Sequence, residues 1–335
     1  MLNANPKNSL PSLVQSFFCE RLVSQRNASP RTVSSYRDTV RLLLRFASAS
    51  TGRTPAKLTL ADLGAPLVLD FLDHLEKERG NSGRTRNARL AALRSLVKHI
   101  AVREPAFLAH AESILAIPMK RFDRPALTFL SLEEVEAIAE APDVSTLSGR
   151  RDRVLFLMFY NTGARVSELA GLKVGDVSAE GSGSVRLHGK GRKERTVPLW
   201  KSTVKHIREW LRHIDADPAS PFFPNRLGMP MSRSGVEHRL RVALKAAGLA
   251  CPSLKGKSVS PHTFRHTTAM HLLKAGVDLA TIALWMGHES PATTHTYIEA
   301  DLDMKEAALD RLAEPANRIG RYKASDAVLA FLESL

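Results

Sequence analysis

Apolar positions recur at helical spacing through most of this chain. Residues 10–28 place Leu13, Val14, Phe17, Phe18 and Leu22 at that spacing and predict one helix. Ser29-Pro30 marks a second helix start, followed by a stripe of Val33, Tyr36, Val40, Leu43, Leu44 and Ala47. A third helix is expected to begin over 59–62 and end near Arg79-Gly80. Gly83 precedes a fourth, with Leu90, Leu93, Leu96 and Val97 as its buried face. Residues 117–130 (IPMKRFDRPALTFL) hold two prolines, mixed charge and no period, and read as a linker. Beyond it, Ser131 and Glu134 have capping-box spacing, so a second domain starts there. An apolar helix over 150–160 is broken by Asn161-Thr162-Gly163, and Ala164 opens another with Arg165 in its first turn. From Gly181 the period changes to two, and VRLHGKGRKERTVPL reads as strand, tight turn and strand, with Pro198 suited to a sheet edge.

Helical patterning resumes over 201–214 and again over 232–247, where Gly248 is the expected C-cap. Residues 218–230 are loop. Ser260-Pro261 starts a further helix, Asp278 is a plausible N-cap of the next, and Gly287 fits the left-handed residue that ends it. Ser290-Pro291 opens a short helix reaching Tyr297. Helices over 302–313 and from Ser325-Asp326 onward complete the chain, the last with an apolar stripe suited to its own domain or to a neighbouring subunit. The expected fold is mainly α with a small antiparallel β-hairpin or sheet in the C-terminal domain. The expected division is a helical domain over 1–116, a linker over 117–130, a second domain over 131–300 and a helical tail over 301–335.

A length of 335 residues accommodates two cores, and 44% hydrophobic with 24% charged residues is ordinary for a soluble globular protein. No apolar run reaches membrane-spanning length, and the N-terminus does not read as a secretion leader. Two cysteines make a disulfide framework unexpected and point to a reducing cytoplasm. The net charge of +14 changes the picture most, because basic side chains displace counterions from phosphates and nucleic acid becomes the expected partner. Membrane surface is the rival, but it favours one basic amphipathic segment, and here the basic residues are spread along the chain. Arg84, Arg86, Arg89 and Arg94 on the fourth helix have almost no acid to balance them. They read as DNA-backbone contacts against the plainer alternative of a solvated face, and Arg233, Arg239 and Arg241 form a second such group.

The chemistry gathers at helix ends. His262 and Arg265 lie three residues apart on a first turn, where unpaired N–H groups favour an anion. Glu168 lies three residues after Arg165 and can brace its guanidinium. Glycines flanking Lys190 allow a turn that projects it, with Lys193 as the alternative on the same turn. His288 follows Gly287, and Tyr297 follows nine residues later. Guanidinium groups suit the equatorial oxygens of a phosphodiester transition state, a lysine crowded by arginines suits protonation of a leaving alkoxide, and tyrosine suits nucleophilic attack. His262 and His266 at i, i+4 raise zinc, but the metalloprotease pattern needs Glu where Thr263 stands, so no metal is expected.

GARVSELAGL (163–172), GKGRKERTVPL (189–199), HTFRHTTAMHLLKAGVDLATIALWMGHES (262–290) and TTHTY (293–297) resemble the tyrosine recombinases, or phage integrase family, nearest to its Xer-like and transposon-borne members. The resemblance covers about 125–300, and 10–115 resembles that family's helical, SAM-like core-binding domain. It implies Tyr297 as the nucleophile forming a 3′-phosphotyrosyl bond, and Arg165 and Arg265 as the phosphate clamp. It implies Lys190 as general acid, His262 as an assisting base, His288 as a hydrogen-bond donor to the phosphate and Glu168 as support for Arg165. No cofactor is implied, neither metal nor ATP. The implied partners are double-stranded DNA, clamped between two domains, and three further copies of the chain, in a tetramer that exchanges tails and passes through a Holliday junction. The implied setting is the nucleoid, away from membranes. The rivals are a type IB topoisomerase-like relaxation enzyme and a non-catalytic architectural DNA-binding protein.

Overall fold

The computed structural model describes residues 9–122, 128–189 and 193–287. Lys190, His288, Tyr297, the expected short helix at Ser290-Pro291 and the expected tail over 301–335 lie outside the described residues. The chain divides into two compact units, Met1–Arg124 and Pro125–Leu335.

The first unit is helical. α1 (Leu10–Ser16) is capped by the Ser9 hydroxyl and passes without a break into a π-helical run, Phe17–Gln25. The single helix expected over 10–28 is therefore two windings, and Asn27 at φ +45° closes them. α2 (Pro30–Thr51) starts on a Ser29 cap with Pro30 inside the first turn. The third helix begins later than expected. A capping box between Thr59 and Asp62 closes a 3-10 turn, Leu60–Asp62, and Leu63 then leaves helical geometry before α3 (Ala65–Lys77). α4 (Gly83–Arg103) and α5 (Leu108–Ala116) complete the unit. Phe17, Leu43, Phe71, Leu72, Leu75, Leu90, Leu93 and Ile100 lie in its core, as does Ile117. Asn87 on α4 holds Lys120 from both sides, donating to its carbonyl at 2.8 Å and accepting its N–H at 3.0 Å.

At the far end of the expected linker, Leu130 is fully buried in the second unit, and its N–H donates to Thr267 Oγ1 at 3.0 Å. The two ends of 117–130 thus belong to the two units. In the second unit, α6 (Leu132–Glu140) carries the Ser131–Glu134 capping box. α7 (Leu147–Thr162) is buried nearly all round, with Val154, Leu155, Phe156, Met158 and Phe159 inside, and it packs on α6 and on the helices Lys201–Leu211 and Pro261–Lys274. α8 (Val166–Ala170) follows one turn later. Strands β1 (Val177–Ser178), β2 (Ser184–His188) and β3 (Glu194–Pro198) form an antiparallel sheet in that order, so Pro198 lies on an edge strand. β1 has two residues, too short for any period to announce it.

α9 (Lys201–Leu211) and α10 (Arg233–Ala250) lead to α11 (Pro261–Lys274) and α12 (Leu279–Met286). Gly248 is inside α10, not its C-cap. The helix ends at Cys251 because Pro252 disfavours helical geometry in the residue before it. The fold is mainly helical with one small antiparallel sheet, as the patterning predicts.

Candidate active site

Two glycines in left-handed geometry bring distant helix ends together. Gly163 (φ +58°) ends α7 and Gly287 (φ +62°) ends α12. A Cβ on Gly163 would stand 2.6 Å from Met286 Sδ, so any side chain there must displace Met286 as well as bear left-handed strain. Arg265, 2% exposed on the first turns of α11, fastens them. Its guanidinium donates to the Gly163 carbonyl and to the Met286 carbonyl, both at 2.7 Å.

Arg165 lies just past the Gly163 turn. It is the N-cap of α8, not a member of its first turn, because Glu168 reaches back to accept the Arg165 backbone N–H at 2.8 Å. The same carboxylate accepts from Arg165 Nη1 at 2.8 Å, while Nη2 donates to the Gly287 carbonyl at 3.2 Å. The spacing of three residues therefore makes the brace that it predicts.

Patterning passed over Arg195. It sits on β3 opposite Leu187, on the same side of the strand as buried Val197. Nη1 and Nη2 donate to the two oxygens of Glu168 at 3.1 and 2.8 Å, and Nε donates to the Trp285 carbonyl at 2.8 Å. Three successive carbonyls, of Trp285, Met286 and Gly287, thus accept from Arg195, Arg265 and Arg165 in turn. Burial works to raise the Glu168 carboxyl, but the hydrogen bonds and charges of Arg195 and then Arg165 outweigh it and hold it below the usual carboxylate range. The available sequence signal was an arginine on the inward phase of a period-two strand, which demands a buried acidic partner.

Ser260 caps α11, Pro261 occupies its first position, and His262 is exposed on that turn. The rings of His262 and His266 meet edge to face at 4.5 Å. Burial, then the nearby His262 and Arg265 charges, lower the His266 imidazole to about 4. His271 is structural: its Nδ1 lies 2.7 Å from the Tyr160 hydroxyl. Trp285 packs against the core before the turn. At the hairpin, the Gly189 N–H donates to the Lys193 carbonyl at 2.7 Å. His188 stands at its base between Asp176 and Glu194, at 2.9 and 3.0 Å.

The arginines singled out as DNA contacts divide. Arg86 is buried and paired with Glu76 at 3.4 Å. Arg89 donates to the Ser35 carbonyl and to Thr39 Oγ1, and Arg94 to the Ile117 carbonyl. Arg239 is paired with Asp152. These four brace the fold. Arg84 and Arg241 are exposed, and Arg233 is exposed but paired with Glu237 at 2.8 Å.

The chain is mainly helical in two units, and three guanidinium groups converge on one turn, two of them sharing a buried carboxylate, a concentration of positive charge suited to an anion. The profile described as "Phage integrase family" matches residues 128–303, and that described as "Phage integrase, N-terminal SAM-like domain" matches residues 16–104. A putative integrase/recombinase y4rC of Sinorhizobium fredii is 46% identical over 98% of this chain and 98% of its own. Tyrosine recombinase XerC of Pelobacter propionicus is 32% identical over 89% of this chain and 93% of its own. Among solved structures, the XerH site-specific recombinase bound to a palindromic difH substrate shares the fold. Its TM-score is 0.67 at 23% identity, over 85% of this chain and 81% of that one. The chain belongs to the phage integrase family, the tyrosine recombinases, enzymes that cut DNA and rejoin it at specific sites.

Proposed function

We propose that this protein binds duplex DNA and exchanges strands through a covalent phosphotyrosine. Tyr297 attacks the scissile phosphorus, forming a 3′-phosphotyrosyl bond and releasing a 5′-hydroxyl. Arg165 and Arg265 hold the non-bridging oxygens, Lys190 protonates the leaving 5′-oxygen, His262 assists deprotonation of Tyr297, and His288 donates to the phosphate. Glu168 keeps the Arg165 fork in place. The phosphotyrosyl bond stores the energy of the broken linkage, and guanidinium groups supply the charge, so neither ATP nor a metal enters this reading.

The observation that carries it is the convergence of Arg165 and Arg265 on adjacent carbonyls of the turn that leads directly into His288. The relatives are described as integrases and recombinases, which favours strand exchange over relaxation alone or a binding-only role. Four copies assemble on two sites in this reading, with the segment after residue 300 passing to a neighbour, at the nucleoid. Arg84, Arg233 and Arg241, which keep exposed guanidinium groups, are the backbone contacts in it.

The test is a nicked suicide substrate drawn from DNA flanking the gene. Wild-type protein should form a covalent adduct, and Tyr297→Phe should bind equally well and form none. An adduct that survives Tyr297→Phe would overturn the proposal.

A further inference from the structure

We infer that Arg195 is a positioning residue for strand cleavage: its guanidinium locks the Glu168–Arg165 pair to the end of α12, so that the phosphate clamp and the Gly287 turn keep one fixed geometry. This rests on the reading above, in which Arg165 and His288 face the scissile phosphate.

Arg195 does not itself meet substrate in this account. Its Nε, Nη1 and Nη2 each donate to a protein acceptor. Its donors are directed at protein atoms on two elements, α8 and α12, from a third, β3. Glu168 alone binds Arg165 to the start of α8. Arg195 extends that local bond across 90 residues of sequence to the Trp285 carbonyl. The turn is shaped around it, because a Cβ on Gly287 would stand 3.1 Å from Arg195 Nη1 and 3.2 Å from its Cδ. The hairpin enters the same contact, since a Cβ on Gly189 would stand 3.3 Å from Glu168 Oε1.

A planar fork is needed for this. Two parallel bonds to one carboxylate and a third to a carbonyl on another edge suit a guanidinium, whereas an ammonium is a single point of charge and cannot span all three acceptors. Lysine therefore separates the two roles open to Arg195. If the residue only neutralises Glu168, Arg195→Lys behaves as wild type. If it registers the elements, Arg195→Lys folds and binds but cleaves slowly.

The experiment measures single-turnover cleavage by full-length Arg195→Lys and Arg195→Gln on two suicide substrates, one ordinary and one with sulfur as the 5′ bridging atom. A thiolate leaves without a proton, so that substrate bypasses the general acid. We expect Arg195→Lys to melt near the wild-type temperature, to bind DNA within about threefold of wild type, and to cleave both substrates about 100-fold slower, the scale of loss for a displaced catalytic group. Lys190→Ala should be slow on the oxygen substrate alone. Cleavage at the wild-type rate by folded Arg195→Lys would overturn the inference, and so would full rescue by sulfur, which would place its effect on Lys190 through the hairpin. If Arg195→Gln fails to fold, Arg195→Lys, which keeps the charge, carries the test. Failure of the parent reading is separate, because it would show as an adduct formed by Tyr297→Phe or unimpaired cleavage by Arg165→Ala.

Discussion

Arg265 and Arg165 donate to neighbouring carbonyls of one turn, Met286 at 2.7 Å and Gly287 at 3.2 Å. They start from α11 and from the cap of α8, 100 positions apart in sequence, so their meeting is a product of the fold alone. The two glycine turns that permit it are the first place to test.

Gly163→Ala should destabilise the second unit by about 2 kcal/mol, from left-handed strain and the overlap with Met286 Sδ. Gly287→Ala meets the end of a guanidinium at 3.1 Å, and should cost about 1 kcal/mol while slowing cleavage more than its stability loss explains. Thermal melts beside single-turnover cleavage check both. Equal melts for the two variants would contradict the difference in packing.

The base of the hairpin should loosen as pH rises. Hydrogen bonding to Asp176 is the main influence raising the His188 imidazole above its ordinary 6.5, with Glu194 contributing at the other nitrogen. Both ring nitrogens face carboxylates, an arrangement that suits imidazolium. A group whose folded pKa is raised stabilises fully below the unfolded value and loses that contribution as pH passes through the folded one. Hydrogen exchange at the Gly189 amide should therefore speed up beyond the intrinsic rate as pH rises above 6.5, and His188→Gln should remove the extra acceleration.

Acid should work on α11 by the opposite sign. His266 is lowered to about 4, chiefly by burial, so in the window between about 4 and 6.5 the unfolded chain binds a proton that the folded one does not. Stability should fall as pH drops through that window, by at most about 3 kcal/mol from this group. An imidazole titration followed by NMR that placed His266 near 6.5 would remove the prediction.

Arginines should sort by partner when DNA binding is measured against salt. Arg84→Ala and Arg241→Ala should each flatten the log–log slope by about one unit and leave the melt unchanged. Arg86→Ala should leave the slope alone and cost about 1–3 kcal/mol, through the ion pair lost to Glu76. A slope change for Arg86→Ala with no change in stability would reverse this division.

Local signals were legible in the chain. The caps at Ser131, Ser260 and Asp278, the Gly287 stop and the Arg165–Glu168 brace each depend on residues within a few positions, and each forms as spacing predicts. What escaped was long-range or lay in phase. Arg86 continues the Leu90–Leu93–Val97 stripe one turn upstream, and Arg89 does the same for Leu93, Leu96 and Ile100, so both point inward despite their charge. Arg195 was hidden for the same reason, its acceptors lying 27 and 90 residues away.

A helix tail normally presents about half a unit of negative charge, the wrong sign to place beside a phosphate. At α12 the last carbonyls each face a guanidinium, so that pole is overwritten. On the proposed function, the chain can thus run out of a helix's electronegative end straight into a segment that meets an anion, with the dipole's repulsion already countered before DNA arrives.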